Sequence, residues 1–139
     1  MVRIAALIAL LGLTAASPGL ACDCIRLDPN GPNFAADLDR IAAYYPVAAE
    51  GVLESDGEFA WRFRPTHEYR GLKQASYPVE LISDCSLGPD ELGHIVGKPV
   101  FLLLAGEKNR FEISRCVNFL GADVEQAIRD RIGKRCKPR

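Results

Sequence analysis

Residues 59–69, with the sequence FAWRFRPTHEY, show the clearest strand pattern in the chain. Alternate positions share one face of a strand, and arginine, threonine and glutamate residues lie mainly on the other face. The residues of the first face are Phe59, Trp61, Phe63, Pro65, His67 and Tyr69. Because proline has no backbone N–H, Pro65 predicts a bulge or an edge position. The pattern therefore predicts a β-rich fold in which this strand packs through its aromatic face.

The segments around this strand predict four further strands and two helices. The five strands are predicted at residues 47–54, 59–69, 77–83, 100–105 and 110–118. Helical spacing of apolar residues predicts one helix before them, at 34–45, and one after them, from Asp123 to Gly133. The run at 100–105 is apolar throughout, which predicts a strand buried on both faces. This set predicts a mainly β fold, a five-stranded OB-like (oligonucleotide/oligosaccharide-binding) Greek-key barrel with two flanking helices, although a sandwich fits the same pattern.

The first 21 residues have the parts of a secretory signal peptide. Arg3 supplies a basic start, residues 4–13 are apolar but too few to span a bilayer, and Gly19-Leu20-Ala21 resembles a cleavage site. Cleavage after Ala21 would make Cys22 the first residue of a secreted protein, either extracellular or periplasmic. A retained anchor and a lipoprotein are the alternatives, which the short apolar segment and the position of Leu20 disfavour.

The remaining 118 of the 139 residues predict one domain, residues 22–133, followed by a basic tail, residues 134–139. The signal peptide holds one of the 17 basic residues and none of the 18 acidic ones, so the mature net charge would be near −2. This balance argues against a nucleic-acid partner and against binding to a membrane surface. No second apolar segment in the sequence is long enough for a transmembrane helix after processing.

The five cysteines are Cys22, Cys24, Cys85, Cys116 and Cys136. In an exported protein they favour disulfides, which leaves at most two bridges and one further cysteine. The sequence alone does not choose the pairing. A four-cysteine zinc site is the alternative, and two close cysteines followed by distant single ones are poor spacing for a zinc ribbon.

The sequence shows no nucleophile motif, acid–base set or phosphate-binding loop, which predicts that the protein is not an enzyme and needs no cofactor. The two histidines, His67 and His94, lack metal-binding spacing. Trp61, Phe63 and Tyr69 fit either an aromatic ligand platform or core packing. Their alternation with arginines favours core packing.

The order of these features resembles the netrin-like module, and most of all the N-terminal inhibitory domain of the tissue inhibitors of metalloproteinases. Cys22-Asp23-Cys24 stands at the predicted mature N-terminus, and a helix and a strand follow it. The aromatic strand then closes on Tyr69-Arg70-Gly71, and later strands end in Cys85 and Cys116. The resemblance covers residues 22–120. It implies an OB-type barrel with Cys22–Cys85 and Cys24–Cys116 disulfides, which leaves Cys136 unpaired.

The resemblance also implies a function. In these inhibitors the amine and carbonyl of the N-terminal cysteine chelate the catalytic zinc of a metalloprotease, here through Cys22. The chelate displaces the water that the zinc would activate. The implied protease-contact ridge consists of Cys22, Asp23, Cys24, Ile25, Ser83, Asp84 and Cys85. The predicted partner is therefore a protein, with a zinc metalloprotease as the first choice.

Asp23 departs from the pattern of the inhibitors. The residue after their first cysteine enters the specificity pocket of the protease and is normally small or uncharged. A carboxylate in an apolar pocket costs several kcal/mol unless it is paired, and Asp84 adds a second negative charge near the same edge. Asp23 therefore favours a protease with a basic pocket, or the alternative of a non-inhibitory netrin-like module that binds another protein of the cell envelope or extracellular space.

Overall fold

The structure is a computed structural model that describes Cys24 and residues 27–135. The elements in this part of the chain are α1 (Phe34–Tyr44), β1 (Val47–Ser55), β2 (Ala60–Arg70), β3 (Tyr77–Glu80), α2 (Pro89–Gly93), β4 (Pro99–Glu107), β5 (Arg110–Ile113) and α3 (Ala122–Arg135). Helix α3 continues two residues beyond Gly133, where the sequence predicted its end. Within the described residues, no helix combines the length and the apolar character needed to cross a membrane.

The five strands form a closed barrel in the order β1-β2-β3-β5-β4, and β4 pairs back onto β1. β3 and β5 run parallel, with Val79 opposite Phe111, whereas the other neighbours are antiparallel. The long connection from β3 to β4 contains α2, and Val96 after this helix forms a bridge with Leu53 of β1. The predicted mainly β fold, a five-stranded barrel with flanking helices, is confirmed, and the sandwich alternative is wrong.

The interior of the barrel is filled by apolar side chains from all five strands. They are Val47, Ala49, Leu53, Trp61, Phe63, Tyr77, Val79, Leu102, Leu104, Phe111 and Ile113. Leu87 and Leu92, from the connection that carries α2, belong to the same cluster. Full burial of one large apolar side chain contributes about 1.5–3 kcal/mol. This interior is therefore the main stabilising element of the fold.

A second apolar cluster lies outside the barrel wall, where β1 and β4 face the two longer helices. The helices contribute Leu38, Ile41, Ala42, Val124, Ile128 and Ile132, and the wall contributes Ala48, Phe101, Leu103 and Ala105. Successive residues of β4 thus point alternately toward the helices and into the barrel. This explains why residues 101–105 are all buried and confirms the strand that was predicted to be buried on both faces.

A bulge in β2 changes the face on which its side chains lie. Gly51 of β1 pairs with Pro65 whereas Glu50 pairs with His67, so Thr66 is an extra residue in β2. One extra residue reverses the in–out alternation that follows it. The bulge predicted from Pro65 is confirmed. The predicted single face for residues 59–69 is wrong, because Tyr69 packs in the outer cluster.

The ends of several strands also differ from the prediction. Phe59 lies in the turn between β1 and β2 with a φ of 58° and is exposed, so β2 begins at Ala60. β3 ends at Glu80, which leaves Leu81 exposed in the next loop. β5 ends at Ile113, because the chain then turns toward contacts that hold residues 116–118.

Candidate functional site

A disulfide between Cys24 and Cys116 attaches the N-terminal segment to the turn after β5. The two Cα atoms are 5.0 Å apart, and 92 positions separate the residues in the sequence. This is one of the two pairs that the resemblance implied. Cys85 is also disulfide-bonded. The predicted site residues that lie outside the described part of the chain are Cys22, Asp23, Ile25 and Cys136.

The loop between β3 and α2 is held against β5 by Glu112. The Ser83 hydroxyl donates to Glu112 Oε2 at 2.8 Å, and the Ser86 hydroxyl donates to the same oxygen. Ser86 Oγ also accepts hydrogen bonds from the backbone N–H groups of Ile82 at 3.1 Å and Ser83 at 3.2 Å. These bonds fix the conformation of a loop that contains three of the predicted contact residues.

Backbone hydrogen bonds add to this attachment. The N–H of Arg115 donates to the carbonyl of Cys85 at 2.9 Å, and the N–H of Leu87 donates to the carbonyl of Ile113 at 2.8 Å. The Arg115 guanidinium also donates to the carbonyl of Ser86 at 3.0 Å. Cys85 is therefore anchored to β5 and to the turn that follows it.

An open cavity of about 540 Å³ lies between α1, β5 and this loop. Three of the predicted contact residues, Cys24, Ser83 and Cys85, border it together with Cys116. Asp84 is exposed between Ser83 and Cys85. The structure thus brings together the described members of the predicted ridge at one end of the barrel, next to a cavity that the sequence did not predict.

The cavity wall is mostly apolar, but it holds the carboxylate of Glu112. The ion pairs of the described residues use other carboxylates, so Glu112 has no cationic partner in that part of the chain. Burial raises the pKa of the Tyr45 phenol, which also borders the cavity, and the charge of Glu112 adds a smaller increase. Arg40 borders the cavity as well, and Asp37 offsets its charge at 3.5 Å.

Exposed apolar side chains lie beside the cavity. Leu81 and Ile82, which precede Ser83, are 40% and 42% exposed, and Tyr44 on the cavity border is 72% exposed. Single exposed apolar residues are common on protein surfaces, whereas several around one concave site indicate a contact surface. This end of the barrel is therefore the candidate site for binding another protein.

The aromatic residues of β2 do not form a ligand platform. Trp61 and Phe63 are buried in the barrel interior, as core packing requires. Tyr69 lies against α3, where the Arg129 guanidinium carbon is 5.6 Å from the ring centroid of Tyr69. Arg129 also forms ion pairs with two glutamates of the neighbouring surface, so its charge is satisfied within the fold.

Sequence reasoning missed Glu112 and Tyr45 as members of the site. Glu112 stands between Phe111 and Ile113, so alternation predicts only that it points away from the barrel interior. Tyr45 was predicted as the last apolar residue of the helix. Their meeting depends on the position of α1 over the end of β5, for which the sequence holds no local signal.

Comparison with known protein families, curated proteins and solved structures finds no match to this chain. Among Cys24 and residues 27–135, no group of three or more histidine, cysteine, aspartate or glutamate side chains is placed to hold a metal ion. The site is therefore defined by its own geometry, which consists of an anchored N-terminal segment, a fixed loop and the cavity between them.

Proposed function

We propose that this protein is a secreted, metalloprotease-inhibitor-like protein in which the amine and carbonyl of Cys22 chelate the zinc of a target protease. The observation that carries the proposal is the position of Cys24, which is bonded to Cys116 and borders the same cavity as Ser83 and Cys85. By covalent geometry the Cα atom of Cys22 lies within about 7 Å of that of Cys24. Cleavage after Ala21 would therefore place the new N-terminus only two residues from this covalent anchor.

The chelation chemistry requires a free α-amine. Its pKa is near 8, so zinc displaces its proton readily at neutral pH. The amine nitrogen and the carbonyl oxygen of one residue close a five-membered ring with the metal. Leu81 and Ile82, exposed next to Ser83, would add apolar contact area around this point. A rigid support for such a chelate lowers the entropic cost of binding.

The experiment uses the exported mature protein, and intact-mass analysis first establishes that it begins at Cys22. Inhibition is then measured against a panel of zinc metalloproteases. A variant with one alanine added before Cys22 should lose inhibition, because the chelating amine is displaced by one residue. The matched control is the same alanine added after Arg139, which should inhibit normally. Equal inhibition by the two variants contradicts the zinc chelate.

A second candidate function is a non-inhibitory netrin-like binding module, and the exposed carboxylate of Asp84 on the fixed loop favours it. With Asp23 it would place two negative charges on the proposed ridge. The two functions differ in the alanine-extended variant, which keeps partner binding only if the chelate is not needed.

Replacement of Asp23 by alanine tests the inhibitor function from the other side. It should strengthen inhibition of proteases with apolar pockets about tenfold, because it removes a charge that would lose its water in such a pocket. Asp28→Ala, in an exposed turn before α1, is the matched control.

A further inference from the structure

We propose that the cavity between α1, β5 and the 81–86 loop receives an arginine or lysine side chain of the protein partner, with Glu112 as its counter-ion. The inference rests on the proposed function only in taking the partner to be a protein. It adds a recognition element that does not involve Cys22 or zinc. The occupant is identified by the charge and the shape of the cavity.

One oxygen of Glu112 is available to a ligand. Both serine hydroxyls donate to Oε2, whereas Oε1 accepts no hydrogen bond from the described residues. Within this part of the chain, Oε1 therefore keeps its hydrogen-bonding capacity for a ligand in the cavity that Glu112 borders. The two serines also fix the orientation of the carboxylate, so it is already positioned for a donor.

The charge around the cavity selects a cation. Glu112 has no cationic partner among the described residues, and the nearby Tyr45 phenol is neutral at physiological pH, a state that burial reinforces by raising its pKa. Arg40, which borders the cavity, is offset by Asp37. An anionic ligand would be repelled by the Glu112 carboxylate, and a neutral donor would bond to it more weakly than a guanidinium or an ammonium group.

The shape and the polarity of the wall fit a long basic side chain. Ile41, Tyr45, Ala105 and Val117 provide apolar surface, which suits the methylene stem of arginine or lysine. The volume of about 540 Å³ lies within the range of roughly 300–1,000 Å³ that is usual for ligand-binding clefts. Tyr44, exposed on the border, can contact the peptide backbone of the partner.

The experiment measures binding of two capped tripeptides, Gly-Arg-Gly and Gly-citrulline-Gly, to the mature protein by NMR titration. Citrulline has the length and shape of arginine without its charge. The arginine peptide should shift the amide signals of Ile41, Tyr45 and Glu112. Its affinity should exceed that of the citrulline peptide about tenfold, as expected for charge-assisted hydrogen bonds in a partly buried site. This comparison uses the unaltered protein and does not depend on the folding of a variant.

Two variants test the assignment of the counter-ion. Glu112→Gln keeps an acceptor for the serine hydroxyls and should lower the affinity for the arginine peptide about tenfold. Glu54→Gln, at an exposed glutamate on β1 outside the cavity, should leave it unchanged. Equal binding of the two peptides, shifts confined to other surfaces, or an unaltered affinity in Glu112→Gln would each overturn the proposal. Free guanidinium ion that binds as tightly as the peptide would also overturn it, since the site would then be a small-cation pocket.

The alanine-extended variant separates this proposal from the zinc chelate. It should bind the arginine peptide as the mature protein does, even where its inhibition of proteases is lost. If neither the mature protein nor the variant inhibits any protease, but both bind the arginine peptide selectively, the zinc chelate is contradicted and the cavity proposal is supported. If the mature protein inhibits a protease but does not bind the arginine peptide, the zinc chelate is supported and the cavity proposal is contradicted.

Discussion

The side chain of Asn118 pairs with both backbone polar groups of Leu103, as a neighbouring strand would. Its Oδ1 accepts from the Leu103 N–H at 2.9 Å, and its Nδ2 donates to the Leu103 carbonyl at 3.0 Å. The same Nδ2 donates to the carbonyl of Ser114 at 2.9 Å. Asn118 is buried, and it holds the turn that carries Cys116 against β4.

Replacement of Asn118 by alanine should destabilise the protein by about 2–4 kcal/mol, because it removes the hydrogen-bond partner of three backbone groups, two on Leu103 and one on Ser114. Urea unfolding measures this change. Asn109→Ala, in the exposed turn between β4 and β5, is the control and should change stability by less than about 0.5 kcal/mol. Similar losses in the two variants would show that the Asn118 pairing does not support the turn.

Gly51 lies where β1 and β2 approach each other most closely, next to the bulge at Thr66. A Cβ atom at this position would overlap the carbonyl oxygen of Arg64 and lie 2.8 Å from Cζ of Phe63. Because Phe63 is fully buried in the barrel and also pairs with β3, β2 has little freedom to move away. Gly51→Ala should therefore cost about 3 kcal/mol. Gly93→Ala, where a Cβ atom meets open space, should be tolerated, and equal thermal stability of the two variants would contradict the steric argument.

The Cys24–Cys116 bridge should contribute strongly to stability, since it closes a loop of 92 positions. The chain-entropy model gives about 4 kcal/mol for such a loop, as an upper estimate. The double variant Cys24→Ser, Cys116→Ser should lose about 2–4 kcal/mol in denaturant unfolding. Cys136→Ser is the control, and it should have little effect because the implied pairing leaves Cys136 unpaired.

Peptide mapping of the unreduced protein tests the other implied bridge. We expect the peptide that contains Cys85 to be joined to the one that contains Cys22, and Cys136 to react with an alkylating reagent before reduction. The physical reason is that a terminal cysteine must be tied to the loop after β3 if its amine is to be held at the ridge. A peptide that joins Cys85 to Cys136 would exclude this arrangement.

Two buried tyrosines should make stability depend on pH at the alkaline end. Burial raises the pKa of both Tyr45 and Tyr77, and the hydrogen bond from Tyr77 to Glu68 raises the pKa of Tyr77 further. The folded protein therefore holds these protons more tightly than the unfolded chain. Their contribution is fully present below the unfolded pKa of about 10 and is lost as the pH rises toward the folded values.

Ultraviolet absorbance of tyrosinate measures this effect in the folded and the urea-unfolded protein. Tyr77→Phe should remove one late-ionising group and weaken the dependence of stability on pH above about 10. Tyr44→Phe, at an exposed position, is the control. Identical titration curves for the folded and the unfolded protein would contradict the assignment.

The pattern of apolar and polar residues predicted the strands correctly where successive side chains alternate between the two faces of the sheet without interruption. Phe111 and Ile113 alternate around a polar residue, and the run at 101–105 is apolar because β4 faces both the interior and the helices. The pattern failed where geometry inserts a residue or ends a strand. Tyr69 lies beyond the bulge at Thr66 and is itself unpaired at a second register shift, between Glu68 and Arg70, and Phe59 adopts the left-handed conformation of a turn.

The candidate site was predictable only in part, for a similar reason. The resemblance, and not the spacing of the cysteines, implied that Cys24 and the loop of Ser83 and Cys85 belong to one ridge. The sequence around Glu112 contains no signal of a site, since a single glutamate on a strand normally points to solvent. Its place in the cavity follows from the position of α1 across the cavity from β5, which is a property of the assembled barrel.

The attachment of Cys24 to Cys116 joins a segment at the start of the chain to a turn that follows the fifth strand. A chain still being synthesised therefore cannot complete the surface next to the cavity until every strand has emerged. A truncated or reduced molecule would lack the anchored N-terminal segment even where its first strands are intact. The surface next to the cavity is therefore complete only in a molecule that is both fully synthesised and oxidised.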